Sequence, residues 1–351
     1  MQYTLFLELL QVALGTRDRL SRNPSAEEWN QLYLMAKKQA ITGFIFTALD
    51  DLSFKGQKPP KSLVLEWIGV SEQITAKNRV INHRCVEISN VFKEDGFGNC
   101  ILKGQGNALS YPKPLSRSPG DIDIWLSGPS ERIRDYVKKR FPNAADSVLH
   151  IDYPFFNDVM VEVHYRPSML RSFLFNKRIQ TFYDENLNEQ FEHRVLLSKE
   201  EGYICIPTPE VNIIMQLSHV MGHFFEEGIG LRQIIDLFYL LKSNNFNQPQ
   251  MNQLLHHLGM YSFTRAIMWV LHEHLGLDEK YLLLQPDKKR GRLVMEEILK
   301  DGNFGHYDNR SLRKLYSVSP LVYKIARNIR YFFFFPRESL ISPLFGIVFR
   351  S

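Results

Sequence analysis

Apolar residues recur at three- and four-residue spacing from the start of the chain to about residue 92. That spacing predicts helices over LFLELLQVAL, over SAEEWNQLYLMAKKQAITGFIFTAL with Ser25 as its N-cap, and over a long segment from about Ser62 to Phe92. The pattern then changes. GNCILKG is a short β-like run ending in glycine, GQGNALSYP reads as a short helix or turn, and DIDIWLSG alternates with period two. GPSERIRDYVKKRF predicts a helix with Ser130 near its start, and VLHID and NDVMVEVHYRP predict two further strands. After Pro207 the helical spacing returns. TPEVNIIMQLSHVMGHFFEEG starts at the capping residue Thr208 and is followed by GLRQIIDLFYLLKS, with further helices at about 247 to 258, 260 to 275, 290 to 301 and 310 to 331. The expected class is α+β. A small sheet with flanking helices over residues 96–206 is embedded between a helical region at 1–95 and another at 207–351.

Composition narrows this only slightly. At 351 residues, with 44% hydrophobic and 23% charged residues, the chain is long enough for more than one core and has no segment of disordered character. Cys85, Cys100 and Cys205 are an odd number at no metal-ligand spacing, which argues against a disulfide framework or a zinc ribbon and makes a cytoplasmic, reducing setting the expectation. The N-terminal apolar stretch is interrupted by Glu8 and lacks a basic leader, so it reads as an amphipathic helix rather than a signal peptide. No apolar run approaches the roughly 18 residues of a membrane span. The aromatic tail RYFFFFPRESLISPLFGIVFRS is broken by Pro336, Arg337 and Glu338, and docking on the protein's own core accounts for it better than peripheral membrane contact. The net charge of +5 is unevenly placed: residues 286–351 hold 13 Lys+Arg against 6 Asp+Glu. KKRGR and the series Arg310, Arg313, Lys314, Lys324, Arg327, Arg330 are the residues through which RNA would be met.

The chemistry lies in the middle section. Alternate residues of a strand share a face, so Asp121, Asp123 and Trp125 stand opposite Ile122, Ile124 and Leu126. The aliphatic face is the one to bury. Two carboxylates so placed repel each other, and a divalent cation relieves the cost; a hard oxygen site for Mg²⁺ follows from the donor type. In the later strand Asp158, Met160, Glu162, His164 and Arg166 share a side against Val159, Val161, Val163 and Tyr165. If the two strands are neighbours, Glu162 faces the aspartates within the ~5 Å reach of cross-strand pairs. Three carboxylates of this kind can hold two Mg²⁺ ions around a phosphoryl or nucleotidyl transfer. His219 and His223, four apart with Glu226 beyond, lack an HExxH arrangement; with Arg232 and Asp236 they are expected to line a cleft, the latter two alternatively forming a helix pair.

A strand ending in glycine, a short helix, then alternating aspartates and a third carboxylate on a following strand resembles the polymerase-β-type nucleotidyltransferase fold. LKGQGNALSYPKPLSRSPGDIDIW followed by VEVHY, with HFFEEGIGLRQIIDL beyond, is similar to the uncharacterised nucleotidyltransferase family of bacterial genomes, in which LKG, R-x-x-GDID and E-x-H recur in that order. The resemblance covers about residues 30 to 280. It implies a small mixed nucleotidyltransferase sheet, Mg²⁺ as cofactor (two ions, with Mn²⁺ as the substitute) and an NTP as substrate. Asp121, Asp123 and Glu162 would be the metal ligands, Glu162 doubling as the base for the acceptor hydroxyl. Lys103, Gly104 and Gln105 would approach the triphosphate at the first-strand turn. Arg117, Ser118 and Gly120 would face it from the segment before GDID; His164, on the Glu162 face, either orients a phosphate or the base or is a buried, hydrogen-bonded histidine. The chain departs from the fold's usual Gly-Gly or Gly-Ser turn by having Gly104-Gln105. The resemblance implies transfer of an NMP to a hydroxyl of a small molecule or glycan precursor with release of pyrophosphate. A tRNA end is the alternative acceptor, as in toxin-like relatives of the fold, and a non-catalytic nucleotide-binding protein is a third reading.

Overall fold

The aliphatic halves of the alternating segments decide how the sheet is built. A computed structural model of the chain describes residues 2–308 and 320–341. It contains four strands, β1 (Asn99–Ile101), β2 (Ile122–Leu126), β3 (His150–Asp152) and β4 (Val161–His164), in one sheet of order β1-β2-β4-β3. β1 runs antiparallel to β2, β2 parallel to β4, and β4 antiparallel to β3, so the sheet is mixed as expected. Two further strands, β5 (Arg194–Ser198) and β6 (Gly202–Cys205), form a separate antiparallel hairpin.

The described residues divide into two units: those of Met1–Thr75, Leu115–Ser118 and Val220–Ser351 in one, and Ala76–Pro114 with Pro119–His219 in the other. This differs from three consecutive stretches. The long predicted helix, Lys61–Glu94, is unbroken from one unit into the next, as is Pro209–Glu226, so neither boundary falls at a loop.

In the sheet-bearing unit, Ile81, Cys85, Ile88 and Phe92 of the long helix lie in one core with Ile101, Ile122, Ile124, Leu126, Ile151, Val161 and Val163 of the strands. Ile133 and Val137, from the helix Ser130–Arg140, complete it. Burying each such side chain contributes about 1.5–3 kcal/mol. This core fixes the sheet by its aliphatic side and leaves the carboxylate side to the site.

The helical unit shows where local signals were sufficient. Ser25 caps the helix Ala26–Lys38 in a full capping box with Glu28. The helical spacing predicted across residues 25–49 is interrupted at Ala40, which has φ 54°, and a new helix begins at Thr42. Gln39 supplies the physical reason: its amide donates to the Ile298 carbonyl and accepts from the Leu231 amide, fixing the chain where the helix stops. Of the aromatic tail, Tyr331 and Phe335 are buried against Phe224, Phe225 and Phe263, whereas Phe333 is exposed. The rest of the tail, residues 342–351, lies outside the described residues, as do Arg310, Arg313 and Lys314. Among the described residues no helix is long and apolar enough to cross a membrane.

Candidate active site

β2 and β4 are neighbours, and their register pairs Asp123 with Glu162 directly. Asp121 precedes β2 on the same alternation. Ligand oxygens of Asp121, Asp123 and Glu162 all lie within 4.8 Å of one another. Asp121 is exposed, Glu162 is half-buried and Asp123 is only 5% exposed, so the group runs from solvent into the sheet. Trp125 closes its inner end, buried against Phe191 with its indole N–H donating to the Tyr165 carbonyl at 3.2 Å.

Asp123 is held ionised at the bottom of this site because Lys103 and His164 both meet it. Lys103 Nζ stands 2.7 Å and His164 Nε2 2.9 Å from its Oδ1. Burial by itself raises the carboxyl, but Lys103 and His164 outweigh it and hold Asp123 well below the carboxylate range. His164 is 2% exposed, yet its pKa is raised: burial opposes the charged form, and the hydrogen bonds to Asp123 and Glu162 prevail. Its Nδ1 donates to the Arg166 carbonyl at 3.3 Å, so both ring nitrogens face acceptors. Glu162 is pushed up by burial and pulled down further by His164, ending below its ordinary value. Asp121 goes the other way. Desolvation against its neighbours, then the Asp123 charge, raise it, with Lys103 offsetting part.

Lys103 is placed by the turn that ends the first strand. The Leu102 amide donates to the Asp123 carbonyl at 2.9 Å, and Gly104 follows with φ 51°, a conformation that favours glycine. A Cβ at Gly104 would stand 3.7 Å from the Asp121 carbonyl, so the turn lies beside the first aspartate. Gln105 is buried, and its amide donates to Asn82 and to the Asn78 carbonyl on the long helix. The glutamine that departs from the usual turn is therefore engaged by the unit's own core.

The residues before GDID are placed differently. Arg117 is buried in a two-pronged pair with Asp236, Nε and Nη2 each 2.8 Å from a carboxylate oxygen. The Ser118 carbonyl accepts from Arg117 and from Arg232, both at 3.4 Å. Asp236 thus takes Arg117, a partner that its i,i+4 spacing from Arg232 did not suggest. Gly120 leads directly into Asp121. His223 meets Glu227 at 2.6 Å and Glu226 pairs with Lys324 at 2.7 Å; among the described residues neither belongs to a group of possible metal ligands.

Residues 25–276 match the profile of a family described as uncharacterised nucleotidyltransferase. The chain belongs to that family. A solved structure, an antigenic nucleotidyltransferase-like protein from Paracoccidioides brasiliensis, aligns over 56% of this chain and 92% of its own at 12% identity, with a TM-score of 0.35. No curated protein matches the chain.

In this nucleotidyltransferase the strand β3 adds two residues that sequence reasoning passed over. His150 pairs in register with His164, and Asp152 with Glu162, so both belong to the row of site-facing positions. The signal was present in VLHID, whose His-x-Asp alternation matches that of DID, but a three-residue strand does not reveal its neighbour.

Proposed function

We propose that the chain transfers a nucleoside monophosphate from an NTP to an acceptor hydroxyl with release of pyrophosphate. The observation that carries this is the convergence of Asp121, Asp123 and Glu162 from adjacent strands within 4.8 Å, in a member of a nucleotidyltransferase family. An all-oxygen donor set of that size fits Mg²⁺, with Mn²⁺ as a substitute. One or two such ions, held by these three carboxylates, would supply charge neutralisation and alignment of the polyphosphate.

The chain's own residues account for the rest. Glu162, half-buried at the edge of the group, accepts the proton of the acceptor hydroxyl. The freed oxygen forms its bond to the α-phosphorus, and the bond from that phosphorus to the α,β-bridging oxygen breaks, leaving pyrophosphate. Lys103, still 17% exposed beside Asp123, is available to the triphosphate charge. The Gly104 turn brings backbone close to the same place, and His164 holds Asp123 and Glu162 in position. Gln105, engaged with Asn82, acts by setting the turn rather than by touching phosphate. Arg117, engaged with Asp236, contributes through the fold of the segment leading to Ser118 and Gly120.

Incubation of the protein with each labelled NTP and Mg²⁺ in cell extract tests this. Label moving to a small molecule supports the reading with a sugar-like acceptor, label on RNA moves the acceptor to a polynucleotide, and retention without transfer overturns it. Asp121→Asn, at an exposed position that spares the core, is expected to lower transfer by more than about 100-fold with an unchanged melting temperature.

A further inference from the structure

Beside the three carboxylates lies a second group of donors whose chemistry is different. We propose that His150, Glu162 and His164 form a second metal site, adjoining the first through the shared Glu162 and taking a borderline transition metal of the Zn²⁺ or Co²⁺ class rather than Mg²⁺. His150 Nδ1 is 3.5 Å and His164 Nε2 3.6 Å from the same oxygen, Glu162 Oε2, and the three donor atoms lie within 4.8 Å of one another. Ligands held about 2.0–2.1 Å from a tetrahedral ion stand roughly 3.4 Å apart, so the cage needs little closure. The two rings are tilted by 44° with their centroids 5.2 Å apart rather than stacked.

Two further observations favour an ion here. His150 Nδ1 is shielded from solvent and makes no hydrogen bond, which is costly for a buried polar atom. His164 donates Nδ1–H to the Arg166 carbonyl, the outer contact that fixes a metal-binding imidazole with its Nε2 lone pair toward the ion. Two imidazoles and one carboxylate suit Zn²⁺, Co²⁺ or Ni²⁺ and are a poor set for Mg²⁺, which takes oxygen. Ligation replaces the proton that His164 Nε2 presents to Asp123, so that hydrogen bond opens when the metal enters.

The inference does not depend on nucleotide transfer, and its test contains no nucleotide. The full-length protein, stripped with EDTA and desalted, is titrated with Co²⁺ and followed by visible ligand-field absorption, then back-titrated with Zn²⁺. One equivalent of Co²⁺ with nitrogen-ligated absorption, displaced by Zn²⁺, is expected. His150→Ala should weaken it by at least about tenfold, while Asp121→Asn should retain it. Binding unchanged in His150→Ala, or lost in Asp121→Asn, overturns the site. Should His150→Ala fail to fold, anomalous density from a Zn²⁺-soaked crystal decides: a peak at His150 Nδ1 supports the proposal, and a peak only among Asp121 and Asp123, or none, overturns it.

Discussion

Lys103 and His164 both meet one carboxylate oxygen of Asp123, and the cost of losing either is set by its burial. Removing Lys103 leaves a nearly inaccessible carboxylate with His164 alone, and breaking a buried pair from one side costs about 3 kcal/mol. Lys103→Met is therefore expected to lower the urea-unfolding free energy by about that much in EDTA. Mg²⁺ should recover more of the loss in the variant than it adds to wild type, because the ion supplies the charge that the ammonium gave. Equal unfolding midpoints for variant and wild type in EDTA would show that the pair contributes nothing. The sequence leaves His164 either orienting a phosphate or the base or buried and hydrogen-bonded; its place between Asp123 and Glu162 makes it a group that lowers both carboxyls, with Lys103 the larger influence on Asp123.

At the scale of elements, the helix Ser130–Arg140 is tied to the sheet by charge as well as by Ile133 and Val137. Asp146, just before β3, accepts from Arg134 at 2.7 Å and from the Tyr165 hydroxyl at 2.9 Å, with Lys138 Nζ at 3.2 Å. Burial raises its carboxyl, but these three partners bring it below its ordinary value. A depressed carboxyl contributes stability that is present above the unfolded pKa of about 3.9 and is lost as the pH falls through the folded one. Asp146→Asn should therefore unfold about 1 kcal/mol more easily than wild type at neutral pH, with the gap closing as the pH falls below the ordinary carboxylate range. A gap that persists in acid would assign the effect to packing. The same strands show what the sequence could and could not carry. Period-two alternation gave the faces of DID and EVH, because side-chain direction is a local property of a strand. It could not give the parallel pairing of β2 with β4 or the antiparallel pairing of β3, since register is fixed by a core assembled from distant segments. His150 was missed for that reason. Gly291 is a parallel case in a helix: KKRGR displays its charge in the sequence, yet a Cβ at the glycine would collide with the Trp269 side chain.

On the scale of the whole molecule, the basic residues of the described tail divide: Lys288, Lys289, Arg292, Lys300 and Arg337 are exposed, whereas three on or just after the helix Pro320–Ile329 are tied to carboxylates. Arg327 is fully buried with Nη2 2.8 Å from Asp301, Lys324 holds Glu226, and Arg330 stands 3.6 Å from Asp308. Lys288, Lys289 and Arg292 line a cavity of about 460 Å³ together with Glu296, Leu293 and Phe334. A polynucleotide acceptor would show binding that falls steeply with salt, and a small acceptor would not. Arg117 separates sequence likeness from folded role most sharply. In the sequence it sits where R-x-x-GDID suggests a triphosphate contact, but residues Leu115–Ser118 belong to the helical unit, and there its guanidinium is matched to Asp236 by two bonds. Both side chains are 6% exposed or less, so Arg117→Ala leaves a buried aspartate without its fork and should cost about 3–5 kcal/mol. Arg117→Lys keeps the charge but loses the two-pronged geometry and should recover only part of that. Thermal melting and NTP titration of the same variants distinguish the roles. A fall in melting temperature with unaltered NTP affinity in the folded fraction follows from the pair with Asp236. A normal melting temperature with weakened NTP binding would return Arg117 to the triphosphate and make Asp236 incidental.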